Sequence, residues 1–118
     1  MNECDVITLH ISGDERNESF VDRRFLDKLK KGTCLVNTSR GKIIDEGALI
    51  EYIKNNKVGN VAMDVYENEP DINRALLSLD GIFTTCHIAG SSNVAIKNMG
   101  ISAITGLLDM LNIEPMEN

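Results

Sequence analysis

Tryptophan is absent from this sequence, and phenylalanine and tyrosine together bring the aromatic residues to only 4%. So sparse a set of rings leaves no platform on which bases or sugars could stack. Basic charge is also short: 12 Lys and Arg face 18 Asp and Glu, a formal net charge of −6. That balance argues against nucleic acid and against anionic membrane surfaces. No run of about 18 apolar residues is present, and no basic segment followed by an apolar one opens the chain. A soluble chain with no membrane partner is therefore expected. The three cysteines, Cys4, Cys34 and Cys86, show no metal-type pair spacing, and an odd number makes a poor disulfide framework. They read as reduced thiols in a cytoplasm, and no metal site is expected.

What is present is ordinary for a globular protein, 42% hydrophobic and 25% charged over 118 residues. A chain of that length forms one domain and buries about two-thirds of the surface it would expose unfolded. No repeat, low-complexity tract or linker interrupts it. "DVITLHI" (5–11) is short and β-branched, hence a strand. "SFVDRRFLDKLKKG" (19–32) predicts a helix opening at Ser19, with Asp22 three residues later, and closing on Lys30, Lys31 and Gly32. A strand over 33–37, a helix over 45–55 begun by Asp45 and Glu46, and a strand over 60–65 follow. A longer connection over 66–81 turns at Pro70 and leads to a strand over 82–86. A long helix spans 93–111.

Strand and helix alternate, and the strands are nearly continuous apolar runs, which predicts parallel β/α winding. The fold class expected is α/β: half of a doubly wound parallel sheet of about four strands, with a long C-terminal helix. Right-handed crossovers that advance in one direction put their helices on a single face. The other face needs the C-terminal helix or a second copy of the chain to cover it, so a homodimer through that helix or that face is one expectation.

Ligands of open parallel sheets bind beyond the carboxyl ends of the strands. The first strand delivers His10 there, and the second Thr38, Ser39 and Arg40. The third delivers Asp64, with Glu69 shortly after, and the fourth His87, Ile88, Ala89 and Gly90. Arg40 offers a planar fork suited to a carboxylate, and Gly41 lets the chain turn where a Cβ would clash. His87 can exchange a proton near neutral pH, and a carboxylate such as Glu69 would fix its tautomer. Each has a plainer reading as well. Arg40 alone is a solvated loop charge, His87 a satisfied buried histidine, and Glu69 turn chemistry beside Pro70. Asp64 caps a turn, His10 packs at a strand end, and Cys86 is a small buried hydrophobe or a reactive thiol. Five polar groups at equivalent strand ends favour an acid–base site for a small anion.

The segments "VNTSRGKIIDEGALIEYIKNNKVGNVAMDVYENEP" and "TTCHIAGSS" resemble the D-isomer-specific 2-hydroxyacid dehydrogenases, in particular the D-3-phosphoglycerate dehydrogenase-like branch. The likeness runs from "CDVITLHI" to the helix after His87. It implies a partial NAD(P)-binding Rossmann domain over residues 1–118, the second half only. It implies that Arg40 binds the carboxylate of a small 2-hydroxy acid, and that Glu69 pairs with His87. His87 is then the acid/base during hydride transfer to or from NAD. Thr38, Ser39 and Arg40 would lie along the nicotinamide ribose and ring, and Asp64 against the carboxamide. Ile88, Ala89 and Gly90 would line the ring with His87, and His10 would sit near the adenosine side. Cys86 stands where the family has proline before the histidine, and Ser12 where proline is common. The GxGxxG phosphate fingerprint and the family's substrate domain are both missing from these residues. Three readings stay open: a dehydrogenase fragment inactive alone, a self-associating unit that rebuilds a cofactor site, and a non-enzymatic flavodoxin-like half-domain.

Overall fold

The computed structural model of the chain describes residues 3–113. Within them the apolar runs form four strands, β1 (Val6–Leu9), β2 (Cys34–Asn37), β3 (Val61–Met63) and β4 (Ile82–Thr84). All pair in parallel, in the order β1-β2-β3-β4. The Rossmann-like winding expected from the alternating pattern is therefore present. Its helices are α1 (Arg23–Leu26), α2 (Glu46–Lys54), α3 (Arg74–Leu77) and α4 (Asn93–Leu111).

Successive residues of a strand point to opposite faces. Leu9, Leu35, Asn37, Val61 and Met63 point to one face and are all buried. They share a core with Phe25 and Leu26 of α1, Leu49, Tyr52 and Ile53 of α2, and Leu76 of α3. The register puts Thr8, Val36, Ala62 and Phe83 in one row on the opposite face. There Phe83 is 68% exposed and Val6, one row away, 60%. The crossovers all advance in one direction, so α1, α2 and α3 cover a single face, as the handedness of βαβ units requires.

Local chemistry sets the helix starts. The carboxylates of Asp22 and Asp45 accept the N–H groups of Phe25 and Ala48, each at 2.9 Å, and Ser92 caps α4 through Ala95 at 3.1 Å. The first helix is much shorter than the spacing predicts. Ser19 is no cap: its φ of 53° is left-handed, and its N–H donates to the Lys42 carbonyl. Val21 pairs with Ile44 as a parallel bridge and is fully buried. That pairing holds Val21 in a bridge and delays the helix until Asp22. The helix also ends early, at Leu26 with Asp27 as its C-cap, so Gly32 stops no helix; its φ of 86° serves the turn that leads into β2. The 66–81 connection holds one helical turn, α3, capped by Asn73, which four residues could not announce by periodicity.

The chain divides into two compact units, one ending at His87 and one beginning at Ile88. The second unit carries α4, which buries none of its residues; Met99, Ile101, Ile104, Leu107 and Leu111 are all more than half exposed. By length and composition α4 is long and apolar enough to cross a membrane. Asn98, Gly100 and Ser102 break the unbroken apolar run by which such a helix is first recognised. Core helices of soluble proteins pass the same test, but those are mostly buried and none of this window is.

Candidate active site

The Arg40 turn is built from the last residue of β2. Asn37 is fully buried, and its carbonyl oxygen accepts the Ser39 N–H at 3.1 Å and the Ser39 hydroxyl at 2.8 Å. Its amide nitrogen donates to the Arg40 carbonyl at 2.9 Å. One side chain thus fixes the whole turn over Thr38, Ser39 and Arg40. Arg40 itself is exposed, with Nη1 donating to the Ser39 carbonyl at 2.7 Å.

Glycine follows the arginine because no side chain fits. A Cβ on Gly41 would stand 1.9 Å from the Tyr66 carbonyl carbon and oxygen and 2.5 Å from the Glu67 nitrogen. Gly13 is similar on the other side, where a Cβ would meet Arg40 Cγ at 2.4 Å. These two approaches bring the loop after β1 and the segment after β3 against the arginine turn.

The segment after β3 is anchored by Tyr66, 4% exposed, whose hydroxyl is shared between the carbonyls of Met63 and Thr85 at 3.1 and 2.7 Å. The Tyr66 N–H donates to Glu69 Oε1 at 2.9 Å, and Glu69 Oε2 lies 2.7 Å from His87 Nδ1. The His87 bond, then the Tyr66 N–H, hold the Glu69 carboxyl below its ordinary value. An ionised carboxylate only accepts, so Nδ1 carries the proton and Nε2 is the nitrogen free for exchange. His87 is 51% exposed and sits in left-handed backbone, φ 53°.

Arg40, Lys42, Glu69 and His87 line one cavity of about 220 Å³. His10, Ser12, Thr38, Ser39 and Arg40 line another, of about 380 Å³, so Arg40 borders both. His10 is exposed and within 2.8 Å of the Thr8 hydroxyl. Asp64 lines neither cavity; it is 3% exposed and accepts the Thr85 hydroxyl. Ile88, Ala89 and Gly90 belong to the second unit. Two of the plainer readings fail: Cys86 is an exposed free thiol, not a buried hydrophobe, and His87 is not buried. Asn37, Lys42 and Glu46 went unnoticed as site components. A polar residue closing an apolar strand was the available signal for Asn37.

The matching family model is the D-isomer specific 2-hydroxyacid dehydrogenase, NAD binding domain, over residues 1–89. The chain belongs to this family. The D-3-phosphoglycerate dehydrogenase of Archaeoglobus fulgidus is 39% identical to it, over 97% of this chain and 22% of that protein. The hydroxypyruvate reductase of Thermotoga maritima is 39% identical over 94% of this chain and 37% of its own length. The apo D-mandelate dehydrogenase of Rhodotorula graminis superposes with a TM-score of 0.84 at 25% identity, covering 91% of this chain and 31% of that one. The chain thus spans well under half the length of these relatives.

NAD is the cofactor of this dehydrogenase family, and the residues fit part of it. The Thr38 and Ser39 hydroxyls, in the wall of the His10 cavity, have the chemistry to meet a ribose, whereas the Asp64 carboxylate is buried against Thr85 and lines neither cavity. For the pyrophosphate the described residues offer no glycine-rich cradle, and side chains already cap α2 and α4.

Proposed function

We propose that this chain is the second half of the cofactor-binding domain of an NAD-dependent D-2-hydroxyacid dehydrogenase, holding that enzyme's acid–base residues. Arg40 grips the substrate carboxylate by two parallel hydrogen bonds. His87 Nε2 takes the proton of the C2 hydroxyl on oxidation and returns it on reduction. Glu69 orients the ring and favours the imidazolium that forms. Bound NAD supplies the acceptor for the hydride that leaves C2. Thr38, Ser39, Asp64 and Ile88 to Gly90 serve the nicotinamide side, and His10 the adenosine side. The observation that carries this reading is the Glu69–His87 contact of 2.7 Å in one cavity wall with Arg40.

As a separate polypeptide the chain lacks the phosphate cradle, so NADH fluorescence should report no binding up to about 1 mM. The chemistry is tested by replacing the matching segment of the Archaeoglobus enzyme with this chain. The hybrid is expected to reduce a 2-oxo acid with NADH, and H87Q to lower kcat by at least about 100-fold. A hybrid that binds NADH but is indifferent to H87Q would refute the assignment.

The exposed Val6 and Phe83 favour a second element of the reading, self-association of copies. Light scattering should then show mass rising with concentration, and a constant monomer mass would remove it. The acidic charge and free thiols support a cytoplasmic protein without nucleic-acid or membrane partners.

A further inference from the structure

Two acidic residues open α2, and they do different work. Asp45 is the cap, accepting the Ala48 N–H. Glu46 is 3% exposed and does not serve its own helix. Its Oε1 accepts the N–H of Glu67, 21 positions away, at 2.8 Å. The peptide that Glu46 holds is the one that Gly41 admits: a Cβ at Gly41 would overlap the Tyr66 carbonyl and the Glu67 nitrogen. The same short segment continues through the Tyr66 N–H to Glu69, and from Glu69 to His87.

We propose that Glu46 is a positioning residue: it fixes the Tyr66–Glu67 peptide against the Arg40–Gly41 turn and so sets the reach of Glu69 to His87. The inference rests on the acid–base reading of Glu69 and His87 given above. The physical case is one of cost. A carboxylate enclosed at a helix start is expensive unless its oxygens are bonded, and a helix dipole alone is served as well by an exposed acid. Burial pushes the Glu46 carboxyl up, and the Glu67 N–H and Asn73 oppose that push. The buried group is retained where it ties together two chain segments that carry the arginine and the histidine–carboxylate pair.

The test follows the Glu69 side-chain carboxyl carbon by NMR through a pH titration of the chain, its E46A and its E46Q. Glutamine keeps a carbonyl to accept the Glu67 N–H. In E46A the Glu69 midpoint should rise by roughly half a unit or more toward the ordinary carboxylate value, as Tyr66 and His87 lose their fixed geometry. In E46Q it should stay with the wild type. Melting temperatures recorded alongside separate stability from positioning. An E46A that melts lower with an unmoved Glu69 curve would make Glu46 merely structural and overturn the proposal. Should E46A not fold, the wild-type Glu67 amide proton decides. Bonded to Glu46, it must shift with the titration of that carboxyl, and independence overturns the proposal equally. Neither readout uses cofactor or substrate, so failure of the dehydrogenase reading and failure of this one are distinguishable.

Discussion

Replacing Gly41 by alanine puts a methyl group in place of one hydrogen at a crowded backbone crossing. The new Cβ would lie 1.9 Å from two atoms of the Tyr66 carbonyl group and 2.5 Å from the Glu67 nitrogen. Ordinary carbon contacts begin near 3.5 Å, so the two segments must part by about 1.6 Å. Backbone, unlike a flexible side chain, cannot swing away. Overpacking alone costs about 1–3 kcal/mol. Parting the segments also pulls the Glu67 N–H off the buried Glu46 carboxylate, leaving unmet polar groups that cost about another 1–3 kcal/mol. A loss near 3 kcal/mol lowers Tm by roughly 10–20 °C in a domain of this size. Thermal unfolding followed by circular dichroism measures it, with G90A as the control, because a Cβ on Gly90 meets nothing within 4 Å. A G41A variant that melts within about 2 °C of G90A would refute the close crossing, and with it the account of why glycine follows the arginine.

Three other expectations follow from single observations. D45A removes the acceptor of the Ala48 N–H and should cost about 1 kcal/mol in urea unfolding; no change would mean the α2 start is held by packing alone. E69Q should narrow its stability gap to the wild type as acid is added. The folded Glu69 carboxyl lies below its ordinary 4.5, so its contribution is present above that value and is lost as pH falls through the lower folded one. A gap that widens on acidification would contradict the His87 and Tyr66 bonds as its cause. G100A, at a position in α4 where a Cβ meets nothing within 4 Å, should stabilise that helix by about 1 kcal/mol. Slower amide exchange over 93–111 is the measure, and faster exchange would count against the helix.

The strands were legible because each is a short apolar run ended by polar residues, and the parallel winding followed from their alternation with helices. The site was legible for the same reason. Parallel register puts all carboxyl ends on one edge, so Arg40, Glu69 and His87 had to be neighbours once the winding was known. Asp45 also announced itself, since a helix cap is local chemistry, whereas the stop expected at Gly32 did not hold: the helix ends at Leu26. What stayed hidden depends on partners distant in sequence. Val21 looks like a helical residue until Ile44 pairs with it. Glu46 looks like a helix-dipole acid until Glu67 comes to it, and nothing near Gly13 says that Arg40 lies over it. Asn37 reads as the polar end of a strand, while its three hydrogen bonds to the turn appear only once the turn is formed.

These hidden contacts divide the polar residues of the sheet edge into two kinds. Asn37, Glu46 and Asp64 are at most 3% exposed, and among the described residues no buried side-chain nitrogen or oxygen lacks a partner. Each of their fully buried polar atoms therefore has a protein partner before anything binds. Arg40, Glu69 and His87 are the reverse: His87 is half exposed, Glu69 a third, and Arg40 open to solvent. A buried polar group left unpaired costs about 1–3 kcal/mol, so satisfying the first kind internally lets the turn and the histidine–carboxylate pair form before anything binds. On the proposed reading this separates two properties that enzymes usually lose together. The acid–base geometry is intrinsic to these residues and should survive in the chain alone. Affinity for the dinucleotide depends on a phosphate cradle that these residues do not supply, so geometry without affinity is the expected behaviour of the separate chain.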